Sequence, residues 1–326
     1  MMNTAAFIFD DLRVFNNSQN GLYEVTELPE IKYHKIGISE LQHPMFFIRT
    51  VEKNKFNLID CNLEYISVQY DKKCQLNQGN SLIDDYYTII SLKTNSLGLQ
   101  KYFIDIVEIL IKGLPDIPTL SELRSEIDKI INLFTKFSVP PRKSIQGLWA
   151  ELLIIDQSTD VDYMVRSWHS SAHDRFDFND GKDKIEVKST NRESRVHCFS
   201  NNQLNPNNNS NLIIASVFAV ECGVGYTVLD LKNQIENKLT DKTLSFRLNE
   251  IIADTLGSEI EKCLNLFFDI QLAIDSIRYY HSYDIPSIEM IHIHKSLTNV
   301  KFDCDLAEIN CISELVQPSQ LHSCLI

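Results

Sequence analysis

Up to about residue 100, apolar and polar positions alternate in short runs, at 21–26, 44–49, 57–60, 63–70 and 86–92. A period of two marks pleated strands half covered by a core, so this part predicts an antiparallel β platform. From Tyr102 to Lys112 the spacing of Phe103, Ile106, Val107, Ile109, Leu110 and Ile111 becomes helical. Pro115 and Pro118 interrupt it, and Thr119-Leu-Ser-Glu122 then reads as the capping box of a helix reaching about Phe137. Its stripe of Leu123, Ile127, Ile130, Ile131 and Phe134 is a packing face. Pro140-Pro141 closes this part of the chain. The pattern thus predicts a β-rich domain over 1–139, ending in helices, and a second domain over 140–326.

The second part opens with Ser144 as N-cap of a helix over 145–155 that is apolar almost all round. Glu151 is its one acid before Asp156, and a carboxylate in such surroundings needs a partner, a metal or a proton. Arg166 and Arg175 are the candidate partners. Beyond it, Phe176 and Phe178 alternate up to Asn179-Asp180-Gly181-Lys182, whose residues tolerate positive φ, and Ile185 and Val187 alternate after it. That pattern predicts a β-hairpin. Arg195 to Phe199 reads as a third strand folding back on the second, and Ser200-Asn-Asn-Gln203 as another capping box. A polar loop at 205–211 leads into a buried strand over 211–220. Helices are expected at 230–239, 244–256 and 258–273, and strands at 276–283, 288–294 and 300–306.

The hairpin carries the candidate chemistry. Centred between Gly181 and Lys182, it sets Asp177 opposite Glu186, Phe178 opposite Ile185 and Arg175 opposite Lys188. Asp177, Glu186 and Lys188 then share one sheet face and the apolar set takes the other. Asp174, a rival first acid, has the parity of the opposite face. Two carboxylates side by side repel each other unless a cation lies between them. Oxygen ligands with a lysine beside them suit Mg²⁺ or Mn²⁺ rather than Zn²⁺. The plainer alternative is a solvated hairpin with an ion pair. If the third strand pairs with the second, Arg195 falls opposite Thr190 and His197 opposite Lys188, which would add both to the acidic face as phosphate or leaving-group contacts. His169 with His173, and His292 with His294, have ligand-like spacing but no third ligand nearby in sequence, and read as surface side chains.

Composition changes the picture in two ways. An apolar fraction of 44% with 10% aromatics marks a globular chain, with no run able to span a membrane and no signal peptide at the start. Eight scattered cysteines without a framework spacing fit reduced thiols in the cytoplasm. The net charge of −13 runs against a DNA-binding surface. Residues 140–210 carry only −1 of it, with nine Lys or Arg against ten Asp or Glu, so the acid lies elsewhere. Weak grip on DNA, or a partner subunit that supplies the grip, follows from that balance.

Asp177, an eight-residue gap and Glu186-x-Lys188 resemble the PD-(D/E)XK nuclease core of many restriction and repair endonucleases. No proline precedes Asp177; Phe176 stands there. With the Gly147-x-x-x-Glu151 helix and the Arg195-x-His197…Gln203-Leu204 segment, the layout resembles bacterial PD-(D/E)XK proteins of restriction and phage-defence loci. The specific motifs span 147–204. The resemblance implies an α/β fold, a restriction-endonuclease-like mixed-sheet core with an N-terminal β-rich domain and a C-terminal α+β extension. It also implies catalysis by Asp177, Glu186 and Lys188, metal binding by Asp177, Glu186 and Glu151, and support from His197, Arg195 and Gln203. The implied activity is Mg²⁺- or Mn²⁺-dependent hydrolysis of DNA phosphodiesters in restriction or anti-phage defence. Partners would be DNA, a second copy of the chain, or other defence subunits such as a helicase/ATPase or methyltransferase. The alternative is a catalytically inactive DNA- or protein-binding subunit of a defence complex, and a third is metal-dependent hydrolysis of something other than nucleic acid.

Overall fold

A computed structural model describes residues 5–15, 22–51, 58–79, 81–169, 174–204, 210–288, 293–294, 296–315 and 318–325. His173, His292 and most of the polar loop at 205–211 lie outside these. The chain is a mixed α/β protein of two compact units, Met1–Pro140 with Gly257–Glu261, and Pro141–Leu256 with Lys262–Ile326. Among the described residues no helix is long and apolar enough to cross a membrane.

The first unit begins with α1 (Ala5–Phe15) and continues through β1 (Leu22–Leu28), β2 (Ile31–Ile38), β3 (Pro44–Ile48), β4 (Cys61–Asn62), β5 (Ile66–Gln78) and β6 (Ser81–Leu92). The sheet order is β1-β2-β3-β6-β5-β4, antiparallel throughout, and β1 also pairs in parallel with β5. Strand β5 makes this possible because its ladder with β6 is interrupted between Gln69 and Lys72, where Asp71 has φ +50°. Before the break β5 pairs with β4; after it, Gln75 to Asn77 pair with β1 and close the sheet on itself. The alternation at 63–70 marks only the first half of this strand. Neither α1 nor β2 is visible in the hydrophobic pattern. In β2 no alternation shows because His34 to Ile38 are all buried, on both faces of the strand, with His34 and Lys35 among them. Helices α2 (Leu97–Lys112) and α3 (Leu120–Thr135) follow, the latter with the expected reciprocal bonds between Thr119 and Glu122.

The second unit starts with α4 (Ile145–Asp156), capped by Ser144, whose hydroxyl accepts from Gly147 N, and α5 (Val161–Ser167). Then come β7 (Phe178–Asn179), β8 (Lys184–Thr190), β9 (Val196–Ser200), α6 (Asn201–Leu204), β10 (Leu212–Phe218), β11 (Glu221–Cys222), α7 (Val228–Lys238) and α8 (Thr243–Leu256). The remainder is α9 (Ile260–Cys263), β12 (Phe267–Phe268), α10 (Ile270–Ser276), β13 (Arg278–His281), β14 (Lys301–Asp305) and α11 (Gln320–Ser323). The central sheet runs β13-β10-β8-β7, with β8 and β10 parallel. The hairpin has the register read from the sequence, Phe178 opposite Ile185 and Asn179 opposite Lys184. Glu186 stands beside Ile214 and Lys188 beside Ser216, so the acidic face of β8 continues onto β10.

Two expectations are corrected. Strand β9 does not fold back on β8; it pairs antiparallel with β14, Cys304 opposite His197. His197 and Arg195 nevertheless reach Ser216 on β10: His197 Nε2 is 2.8 Å from its Oγ, and Arg195 donates to its carbonyl and hydroxyl oxygens and to Ser276 O. The two side chains thus tie β9 to the sheet instead of standing in a ladder beside Lys188. The expected helix over 258–273 is broken. Phe267 and Phe268 pair with Cys222 and Glu221, and the Asp269 carboxylate accepts from Leu272 N to start α10 afresh. An apolar run this short satisfies both periods, and the cap decides between them. The expected strand at 288–294 falls largely on residues 289–292, outside the described set.

Helix α4 is anchored through Trp149, whose ring lies 4.9 Å from that of Phe268 and whose Nε1 donates to Tyr226 O at 2.9 Å. Tyr226 bridges Phe268, and next to it a Cβ on Gly225 would come within 2.2 Å of Phe268 O and 2.8 Å of Cys222 Sγ. Gly225→Ala is therefore expected to destabilise the unit by about 2 kcal/mol, as overpacking does, lowering Tm by roughly 4 to 8 °C. Gly223→Ala, where a Cβ meets nothing within 4 Å, is the control. Equal melting of the two variants would refute the anchor.

Burial, then the charges of Lys188 and Arg195, hold the His197 pKa down to about 4 from an ordinary 6.5. The unfolded chain therefore takes up this proton first. The contribution of His197 is complete above pH 6.5 and is lost as the pH falls towards 4, about 3 kcal/mol in all. Denaturant titrations from pH 7 to 4 should show a shallower loss of stability in His197→Gln than in the parent chain. Parallel losses would show that His197 does not couple folding to protonation.

Candidate functional site

The residue before β7 organises the site. Asp177 makes no ladder partner of its own there; its carboxylate Oδ2 accepts from Val187 N on β8 at 2.8 Å, doing with a side chain what a strand carbonyl would otherwise do. On the other side, Trp168 forms an antiparallel bridge with Phe178, and His169 N donates to Asp177 O at 2.9 Å. The chain segment after α5 thus lies along β7 and brings His169 next to Asp177. Arg247 on α8 donates to Trp168 O at 2.8 Å and to His169 O at 3.4 Å, which fixes this segment. His169 has φ +40°, a conformation that costs an L residue energy and persists because these backbone bonds determine it.

Glu151 on α4 completes the cluster. Its Oε2 accepts from Trp168 Nε1 at 2.8 Å and is 3.0 Å from His169 Nε2. Lys143, just ahead of the Ser144 cap, reaches the same place: its Nζ is 2.7 Å from Glu151 Oε1, forms a short ion pair with Asp177 Oδ1, and is 3.4 Å from His169 Nε2. One atom each of Glu151, His169 and Asp177 lie within 4.8 Å of one another. Since the Nε2 contact with Glu151 is the closer one, the imidazole donates there, and its approach to Lys143 is proximity rather than a hydrogen bond. Arg166, a partner considered for Glu151, instead pairs with Asp241 at 2.8 Å.

A second group surrounds Glu186. Its Oε1 pairs with Lys188 Nζ at 2.9 Å and accepts from Gln203 Nε2 at 2.8 Å. Gln203 is also part of the turn into α6, its Oε1 accepting from Ser200 N at 3.0 Å. The Lys188 ammonium is 5.4 Å above the Phe199 ring. Glu186 Oε2 is buried without a hydrogen-bond partner among the described residues.

Exposures of 2% for Glu151, 4% for Asp177 and 5% for Glu186 make charge balance decisive. Burial would raise Glu151, but the hydrogen bond from His169 and the Lys143 ammonium outweigh it and bring its pKa down to about 2. Burial, then the charges of Glu151 and Glu186, push Asp177 well above the usual carboxylate range despite Lys143. Burial opposes the Lys143 charge, and Asp177 and Glu151 overcome it, so the ammonium is held above its ordinary value. Three buried carboxylates meet two ammonium groups, and one acid, Asp177, feels both of the others.

Of the residues read from sequence, Glu151 and Asp177 come together through Lys143, while Glu186, Lys188 and Gln203 form the adjoining group. His197 and Arg195 hold Ser216 beside Lys188. Lys143, Trp168 and His169 were not identified from the pattern. A lysine just outside a helix cap looks like surface charge, and His169, whose i, i+4 spacing with His173 reads as a surface pair, instead turns to Glu151 just past the end of α5 at Ser167. Trp168 offers the one usable signal, a large aromatic directly after a short helix, where it is fully buried.

A divalent ion fits this donor set: two buried carboxylates, an imidazole, and an orphaned Glu186 oxygen in the adjoining group. The family model described as "Putative PD-(D/E)XK family member, (DUF4420)" matches residues 21–307. No curated protein and no solved structure matches. A family match over most of the chain, carried through the hairpin that holds Asp177 and Glu186-x-Lys188, makes this protein a member of that PD-(D/E)XK family.

Proposed function

We propose that this chain is a divalent-metal-dependent endonuclease that hydrolyses DNA phosphodiesters. The observation that carries the reading is the convergence of Glu151 from α4 on Asp177 from the hairpin, next to Glu186 and Lys188 on β8. Family membership supports nuclease chemistry at a coarse level. Asp177, Glu151 and Glu186 would hold Mg²⁺ or Mn²⁺, which when bound stabilises negative charge on the scissile phosphate and lowers the pKa of water. The Lys188 ammonium, kept in place by Glu186 and Gln203, would orient the attacking water. Trp168 fixes the Glu151 carboxylate from one side, so that the acid need not reorganise when substrate arrives.

The net charge of −13 supports a role inside a larger restriction or anti-phage assembly, where a helicase/ATPase, a methyltransferase or a second copy supplies affinity for DNA. Cytoplasmic residence agrees with eight cysteines that are all free thiols. A second reading, a catalytically inactive subunit, is favoured by Lys143. Its ammonium already pairs with both Glu151 and Asp177 and stands where a cation between them would, as in a site that needs no metal.

Plasmid cleavage tests the proposal. The purified chain should nick or linearise supercoiled DNA with Mg²⁺ or Mn²⁺ and not with chelator. Asp177→Asn and Glu186→Gln should lower the rate by about a thousandfold or more, with melting temperatures near that of the parent chain, and Lys188→Met should lower it by about a hundredfold with a reduced melting temperature, because it strands the buried Glu186. Undiminished cleavage in both acid variants would sink the site. Absence of cleavage, together with no thermal stabilisation by either ion, would establish the inactive-subunit reading instead.

A further inference from the structure

We infer that His169 is a direct nitrogen ligand of the ion this site takes, so that the site prefers Mn²⁺ to Mg²⁺. The inference rests on the metal-dependent reading above and goes beyond it in naming a ligand outside the acid–hairpin–Glu-x-Lys pattern and an ion preference that follows from it.

The backbone places the imidazole. His169 N bonds Asp177 O at 2.9 Å, Trp168 bridges Phe178, and Arg247 grips the carbonyls of Trp168 and His169. These contacts hold His169 at φ +40°. A surface histidine would not need such a backbone. The result is that Nε2 is directed to the carboxylates, 3.0 Å from Glu151 Oε2, within a set whose atoms are all within 4.8 Å. The Lys143 ammonium, 2.7 Å from Glu151 and in contact with Asp177, marks where the field of the two acids favours a positive charge, and it is 3.4 Å from the same Nε2. An independent pointer to a cation is Glu186 Oε2, buried and without a hydrogen-bond partner among the described residues, whose charge acts on Asp177.

The chemistry of that donor set decides between ions. Both ions take carboxylates, but Mg²⁺ keeps to oxygen ligands and several waters, whereas Mn²⁺, a transition ion, also accepts an imidazole nitrogen. For Nε2 to bind an ion, the neutral ring must carry its proton on Nδ1, and the hydrogen bond from Nε2 to Glu151 gives way to shared coordination. Lys143 must withdraw, and its side chain, about a third exposed, has solvent to withdraw into. Glu151 keeps its Trp168 donor throughout.

Equilibrium binding followed by Mn²⁺ electron paramagnetic resonance, with Mg²⁺ as competitor, tests this on the full-length chain. The parent should bind Mn²⁺ at least about tenfold more tightly than Mg²⁺. His169→Gln should weaken Mn²⁺ by about tenfold or more, the scale on which ordered ligands and their supports act, and leave Mg²⁺ within about threefold. Electron spin-echo modulation of Mn²⁺ bound to the unmodified chain gives a readout that needs no variant, and should show a directly coordinated nitrogen. Mn²⁺ that binds without nitrogen coupling, or a Mn²⁺ to Mg²⁺ ratio unchanged in His169→Gln, would overturn the inference while leaving the nuclease reading intact. Failure of the parent chain to bind either ion would overturn both.

Discussion

A carboxylate removed from water must find a positive charge, hydrogen-bond donors or a proton. The second unit buries Glu151, Asp177 and Glu186 in adjoining groups, and their neighbours answer that requirement except at Glu186 Oε2, which is buried without a hydrogen-bond partner among the described residues. Lys143 bridges the first two acids, Lys188 and Gln203 serve the third, and Trp168 and Val187 N supply neutral donors. These partners come from a pre-helix residue, a bridge segment, one strand and a short helix. The cluster therefore constrains how α4, β7 and β8 can pack, and removing any one cation would leave an uncompensated buried charge. A structure-only purpose is a poor account of it, because well-packed apolar residues of similar volume usually stabilise as much as a buried ion pair.

What could be read from the sequence, and what could not, follows from the range of the interactions. The hairpin register was legible because it depends on a turn and a period of two, both local, and the observed pairs Phe178–Ile185 and Asn179–Lys184 are the expected ones. Ser144 and Thr119 as caps were legible for the same reason. The pairing of β9 was not, since its partner β14 lies about a hundred residues away and nothing local distinguishes it from β8. The parallel closure of β1 onto β5 is likewise non-local, and it depends on a break at Asp71 that the alternation does not announce. Lys143 and His169 belong to this second class. Lys143 is placed by the start of α4, and His169 by a backbone bridge onto β7 that Arg247 of α8 secures, contacts that no local pattern announces, and each residue type is more often solvated than buried.

The acidic charge of the chain and its near-neutral core are compatible once the two are separated in sequence. Residues 140–210 hold the candidate chemistry at −1, so the local potential at the site depends on its ammonium groups and any ion as well as on the rest of the surface. The remaining −12 repels a polyanion at long range and is screened beyond roughly 8 to 10 Å at physiological salt. If its substrate is DNA, as proposed, such a chain would depend on another surface to bring that substrate close.

Asp177 is the point at which the two halves of the site communicate. It touches Lys143 and faces Glu151 on one side, and it accepts from Val187 N, the residue between Glu186 and Lys188, on the other. Both neighbouring acids raise its pKa, so of the three it is the one whose charge is least secured by the protein alone. A second positive charge would therefore gain most at Asp177. Replacing one ammonium by a divalent ion there would secure the carboxylate, release Lys143 and relieve the repulsion felt from Glu186 in one change. The protein has built a site in which the most strained ionisation is shared by both halves, and this is the arrangement that a cation binding at either half would sense at the other.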